Sequence, residues 1–429
     1  MLYRIKRLTT LVILSLSITL LVSCAPAPVT PPSDLPVSFE VAIPMLANNL
    51  LMQVKSKQGM LGSLDQKKIV LDPFIDMKSH DVVRVSRQIE KIIFVETQKN
   101  FGDKFTIERL TPENNPQADY VIHGVILYDT YRENKGNFYH AMSSVVEKNT
   151  GRVMAKSDVW ISNPNLDYTP LIDNPMVLQS SQGVSEDIMK IEVDAEVPQT
   201  YNIALGSSAL MIQADAAYEN KDYQAALRLY TQVTQQQSLE KKKMMKAYVG
   251  LYRTNIHLDD WYAAEETFGE LVALSVEEYN TLSVKFLFLV SKTAFDRKLK
   301  AEYPIWLRQI AQYFDNQNLC LHIVGHSSHT GNLGYNCRLS LDRAEAIQKQ
   351  LQPYFSGIKA NSKTDGKAWI QNIAGTGTDD AQDAVDRRVE FKVASCPVSD
   401  NRNRDNKIKD CINTAEFSDS RSSIPTFSP

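Results

Sequence analysis

The sequence predicts a multi-domain chain of α/β and α class: an N-terminal α/β sandwich with a mixed sheet, central helical repeats and a C-terminal βαβαββ domain. Three observations carry that expectation. Strand-like and helix-like apolar periods interleave between Phe39 and Ile161. Two similar helical blocks, ADAAYENKDYQAALRLYTQV and LYRTNIHLDDWYAAEETFGEL, follow one another in the middle. From Val284 to Val393 the pattern runs strand, helix, strand, helix, strand, strand.

The bulk properties set the frame. A chain of 429 residues is long enough for two or three domains. Hydrophobic residues make up 43% and charged residues 23%, the balance of ordinary globular cores. A net charge of −3 makes no electrostatic case for a nucleic-acid partner.

Met1 to Ser23 carries Arg4, Lys6 and Arg7, then an apolar run from Leu11 to Val22. A charged start, a short apolar core and small residues before a cleavage point are the signature of a secretory signal. The run is short for a membrane span of roughly 20 residues. It ends Leu21-Val22-Ser23-Cys24, which resembles a bacterial lipobox, so Cys24 is expected to be lipidated and to hold the chain stably in a membrane. Ala25, in place of an Asp, implies by the same resemblance the outer membrane, with the chain facing the periplasm. Residues 24–37 are Pro-rich and read as an extended tether.

Residues 38–162 read as the first folded domain. Phe39, Ala42, Leu46, Leu50 and Val54 share one helical face, a strand is expected at Ile69–Phe74, and Val85, Ile89, Ile92 and Ile93 mark a helix over Val83–Thr97. Strands follow at Phe105–Leu110, Tyr120–Tyr128, Tyr139–Glu147 and Val153–Ile161. The last two are joined by a turn in which Gly151 can take a positive φ. Helices are expected on one face of the sheet. The opening helix, IVLDPFID, ADYVIHGVI and NTGRV resemble FlgO-like and, more distantly, CsgG- and LpoB-like lipoprotein domains, which implies binding of envelope proteins and no chemistry. His80, His123 and His140 form no catalytic pattern. Residues 163–206 read as a linker with one short helix.

In residues 207–282 each block has an acidic-aromatic turn (Asp222-Tyr223, Asp260-Trp261), then Ala226 or Ala264, then Tyr230 or Phe268. The spacing is 38 residues (264 − 226), against about 34 in tetratricopeptide repeats, which the blocks resemble with a lengthened second helix. Small residues let paired helices approach and the aromatics fill the gap. Tyr252 departs from the pattern, since Ala214 holds the equivalent place in the first block. Function here would be protein contact.

Residues 283–396 contain the stretch that carries function, IVGHSSHTGNLGYNCRLSLDRA from Ile323 to Ala344. A strand runs into a Gly-punctuated loop and then a helix, so backbone N–H groups and the helix dipole face an anionic group, with Asn336, Arg338 and Arg343 beside it. Gly325-His326, Thr330-Gly331, Tyr335-Asn336, Leu339-Ser340 and Arg343-Ala344 resemble the OmpA-like peptidoglycan-binding family, as do Gly375, Gly377 and the closing Arg387-Arg388-Val389-Glu390. The resemblance implies that Arg343 takes the carboxylate of a diaminopimelate residue. The family's loop Asp, which takes the ammonium, is here Ser328, and loss of that charge-assisted bond costs roughly 1.5–3 kcal/mol. His326, Ser328, Asn336, Leu339, Arg343 and Arg387 are therefore the expected peptidoglycan-binding residues, with Arg387 beside Arg343 on the carboxylate and Arg388 pointing the other way along an extended strand. Asp379 and Asp380 are candidates to replace the missing carboxylate.

The expected elements are a strand at Val284–Val290, a helix at Tyr303–Phe314, a strand at Leu319–Val324, a helix at Leu339–Leu351 and strands at Trp369–Ala374 and Val389–Val393. With Cys24 lipidated, Cys320, Cys337, Cys396 and Cys411 allow three pairings in an oxidising compartment. A returning antiparallel last strand would bring Cys396 to Cys320 and leave Cys337 to Cys411. His322, His326 and His329 cluster in sequence, but no Cys or carboxylate completes a familiar zinc spacing. Gly325-His326-Ser327-Ser328-His329 lacks the final Gly of a nucleophile elbow. Residues 397–429 are polar and expected to be disordered apart from the tie at Cys411. The sequence thus reads as a non-enzymatic outer-membrane lipoprotein of a Gram-negative envelope. It needs no cofactor or metal, anchors to peptidoglycan and scaffolds unidentified envelope proteins. The alternative is a secretion- or motility-complex lipoprotein whose last domain binds protein rather than wall.

Overall fold

The computed structural model describes residues 35–57, 65–132, 136–176, 184–236, 241–286, 301–373, 386–396 and 402–422, with short pieces at 288, 293–295, 299 and 398. The leader, Cys24, Gly375, Gly377, Asp379 and Asp380 lie outside the described residues. Among those described, there are ten α-helices and two mixed sheets, and no helix is long and apolar enough to cross a membrane.

The first sheet has the order β3(Phe105–Arg109), β1(Lys67–Leu71), β4(Tyr120–Thr130), β5(Asn137–Glu147), β6(Arg152–Ile161), with the two-residue β2(Ile75–Asp76) also against β4. β1 is parallel to β3 and β4, and β4, β5 and β6 are antiparallel. Side-chain alternation divides it: Ile69, Leu71, Ile122 and Ile126 go to one face, Val70 and Val121 to the other. On the first face lie α1(Phe39–Lys57) and α2(Arg84–Phe101), burying Leu46, Leu50, Val85, Ile89 and Ile93. The β5–β6 register slips between Val145 and Val146, with Met154 the extra residue on β6, and this bulge turns Val153 to the second face beside Val146. Gly124 lets the Phe74 ring lie against β4, since a Cβ there would come within 2.3 Å of it.

The second face is also covered, which corrects the expectation of helices on one face. α3(Val184–Lys190) and α4(Tyr201–Glu219) bury Ile188, Tyr201, Leu205 and Ala209 against it. A sealed polar cluster ties them down. His123 Nδ1 lies 2.9 Å from Asp72, its Nε2 lies 2.8 Å from the Tyr201 hydroxyl, and Ser208 donates to Asp72 at 2.8 Å. The sequence hides this because α4 combines a sheet-facing patch with a helix-pairing patch and so shows no clean apolar stripe.

α4 pairs with α5(Tyr223–Thr234), and α6(Lys241–His257) with α7(Trp261–Tyr279). The turns are equivalent: Lys221 and Asp259 take positive φ (62° and 57°), and Asp222 and Asp260 cap the next helices by accepting from Ala225 and Ala263 N–H at 3.0 Å. Ala226, Ala264, Tyr230 and Phe268 are fully buried. Tyr252 is buried too; its hydroxyl donates to Glu302 at 2.5 Å and accepts from Trp306 Nε1 at 2.7 Å. The departure from the repeat pattern thus joins these helices to the segment that carries Glu302 and Trp306.

Asn280, at φ 54°, ends α7 and starts β7(Thr281–Val284) at once, three residues earlier than expected. Then come α8(Tyr303–Asn316), β8(Cys320–Gly325), α9(Leu333–Leu351), β9(Ser362–Gly366) and β10(Val389–Ala394), in sheet order β7-β10-β8-β9. β10 runs antiparallel between β7 and β8, while β8 and β9 are parallel. The strand expected at Trp369–Ala374 is instead SKTDG: Trp369 and Ile370 sit in a turn and pack on Cys337 and Cys411. One core runs from α6 and α7 through Phe286, Trp306, Phe314 and Phe391 to α9.

Two disulfides join Cys320 to Cys396 and Cys337 to Cys411. Where the sequence led us to expect a disordered tail there is α10(Arg404–Ser422), packed on α9 and β9. Arg402 reaches Asp365 at 2.9 Å, Arg404 pairs with Asp342 and Glu345, and Lys407 Nζ lies 3.3 Å from Thr364. Its tie is ionic and covalent as well as apolar, so hydrophobic period alone could not reveal it.

Candidate functional site

The site is the loop from His326 to Asn332, between β8 and α9, faced by the start of β10. Its floor is set by two glycines. Gly325 and Gly366 are opposite one another in the β8–β9 register. A Cβ on Gly325 would lie 2.0 Å from Ser340 O, and one on Gly366 2.5 Å from Leu341 N, so α9 sits directly on the strands. Ser340 completes this seat: its hydroxyl accepts from Ala368 N–H at 3.0 Å and donates to Cys337 O at 3.1 Å.

The loop is stitched by backbone. His326 N–H donates to Arg388 O at 3.0 Å and Ser327 N–H to Ala368 O at 2.8 Å. Asn332 caps α9 by accepting from Tyr335 N–H at 3.2 Å, and Gly331 takes φ 90°. The helix therefore starts six residues earlier than its apolar period implied. Asn336, expected from sequence among the peptidoglycan-binding residues, directs its amide N–H groups to Thr330 O (2.7 Å) and Asn332 O (3.2 Å). It shapes the loop rather than offering those donors outward.

Arg343 is buried on α9, with its guanidinium carbon 4.9 Å from the centroid of the Phe288 ring. Ser328 is buried in the loop, its hydroxyl 3.4 Å from that of Thr330. Leu339 and Arg387 are half-buried. Arg388 turns onto Glu390 at 2.8 Å and donates to Gln371 O at 3.0 Å.

Glu390 is the centre of a charge cluster that sequence reasoning did not assign. Arg388, Lys392 (2.9 Å) and His326 (3.5 Å) surround it. Burial alone would raise its pKa, yet these neighbours hold the carboxyl well below the usual range. His326 is fully covered, and burial pushes its pKa down to about 4, leaving it neutral at pH 7. The compensating charges are thus Arg388 and Lys392. The signal was present: Arg388, Glu390 and Lys392 alternate on a strand and so share one face. The three clustered histidines part. His322 bonds Asp365 at 2.6 Å, His326 lies by Glu390, and the His329 ring lies 4.6 Å from that of Trp369, tilted at 56° to it. Among the described residues no group of His, Cys, Asp and Glu is placed to hold a metal.

The OmpA family model matches residues 295–386. No curated protein matches the chain. Among solved structures, the peptidoglycan-associated lipoprotein of Burkholderia pseudomallei is 24% identical over 26% of this chain and 89% of its own, with a TM-score of 0.22. The cell wall anchor of the T6SS from Pseudomonas aeruginosa is 21% identical over 27% and 80%, with a TM-score of 0.23. The OmpA-like domain of FopA1 from Francisella tularensis is 19% identical over 27% and 77%, with a TM-score of 0.21. The loop built on Gly325, His326 and Asn336 and the helix bearing Arg343 both fall inside the matched stretch, and the C-terminal part of this chain carries an OmpA-like domain.

Proposed function

We propose that this chain is a non-enzymatic envelope lipoprotein. Lipid on Cys24 holds it in the outer membrane, its OmpA-like domain grips peptidoglycan, and its N-terminal and helical parts recruit envelope proteins. The observation that carries wall binding is the placement of Arg343 on α9 inside the OmpA-matched stretch, held against Phe288 and shielded from solvent. A guanidinium so screened from water attracts a carboxylate more strongly than an exposed one.

The buried Ser185, His123 and Asp72 are no hydrolytic triad. Ser185 meets the same imidazole nitrogen as Asp72, at 3.5 Å, while the other nitrogen goes to Tyr201. A nucleophile would need the opposite arrangement, with the carboxylate behind the ring.

Co-sedimentation of the full chain with purified sacculi tests the reading. Arg343→Ala should abolish pelleting, and unchanged pelleting of that variant removes the site. Ser328 in the place of the family's acidic residue favours a second reading, in which the same domain binds a protein of a secretion or motility complex. Absence of pelleting by the unaltered chain at moderate salt would select it.

A further inference from the structure

A groove of about 630 Å³ runs between α7 and α8, beside α6, away from the Arg343 loop. One wall is acidic: Glu266 and Glu270, one turn apart on α7, are both exposed. The other is amide: Gln309, Gln312 and Asn316 line α8 at i, i+3 and i+7, one face of a helix. Tyr248 and Tyr313 add half-buried aromatic surface, and among the described residues no lysine or arginine lines the groove. Gly269 sets its depth, since a Cβ there would meet Gln309 Oε1 at 2.7 Å. α8 lies within the OmpA-matched residues and α7 outside them, so neither part builds the groove alone.

We propose that this groove is a docking site for an extended, lysine- or arginine-bearing segment of a partner protein. Side-chain amides both donate and accept, which suits the bare N–H and C=O groups of an extended backbone. Paired exposed carboxylates along one wall suit a basic side chain, and the tyrosines offer flat surface for its aliphatic stem. The inference gives the scaffolding part of the proposed function a location, and its failure would leave wall binding by Arg343 untouched.

The test uses the full chain and two fluorescent decapeptide pools, randomised except for a central Lys-x-Lys or Glu-x-Glu. The lysine pool should bind about tenfold more tightly, the effect of two exposed ion pairs. Glu266→Gln with Glu270→Gln should remove the preference, and Glu266→Lys with Glu270→Lys should invert it, with thermal melting unchanged in both. Equal binding of the two pools, binding of neither, or a preference that survives the glutamine variant overturns the proposal. Sacculus pelleting of the same variants should match the unaltered chain.

Discussion

Gly325 and Gly366 face each other across β8 and β9, and helix α9 rests on both of them. The contact is backbone to backbone, so a side chain at either position cannot be accommodated by a rotamer change. Gly325→Ala should destabilise the chain by roughly 2–4 kcal/mol, read as a lower denaturant midpoint. The displaced α9 should also weaken sacculus binding, because Arg343 is carried on it. A variant with unchanged midpoint would mean that α9 stands further from the sheet.

Replacing Ser328 by Asp restores a negative charge to the loop. If the site takes a stem bearing an ammonium group, Ser328→Asp should tighten sacculus binding about tenfold, the scale of one charge-assisted hydrogen bond. Binding equal to that of the unaltered chain would show that another group already meets the ammonium.

Acid should act through His326. Its folded pKa of about 4 lies below the ordinary 6.5, so the unfolded chain binds the proton more readily. Stability is therefore full above pH 6.5 and falls as pH drops through that window to about 4. The loss from this one group is roughly 3 kcal/mol. His80, lowered to about 4 by burial and by Lys246, acts in the same sense. His326→Gln should flatten the pH 4–6.5 part of the stability profile in part. An identical slope would mean that the imidazole is open to water.

The Cys337–Cys411 bond holds α10 against α9, the helix that follows the site loop. Cys337→Ser with Cys411→Ser should cost about 2–4 kcal/mol and expose residues 404–422 to protease and hydrogen exchange first. Uniform protection across the chain would show that the ion pairs of Arg402 and Arg404 suffice.

The sequence by itself determined the elements whose burial is one-sided and whose signals are local. Helix α2, the hairpin at Gly151, the paired caps of Asp222 and Asp260, and the Gly-His loop feeding the helix of Arg343 all arise from apolar period and turn chemistry. Only the tertiary structure decided the rest. The polar strand Ser362–Gly366 is buried because α9 rests on it and α10 packs along it. Helix α4 serves a sheet and a helix pair at once. Asn336 spends its amide inside the loop, and Glu390 gathers Arg388, Lys392 and His326. In each of these a group's environment is supplied by residues distant in the chain. Local pattern records which face a residue takes, but not what stands opposite it.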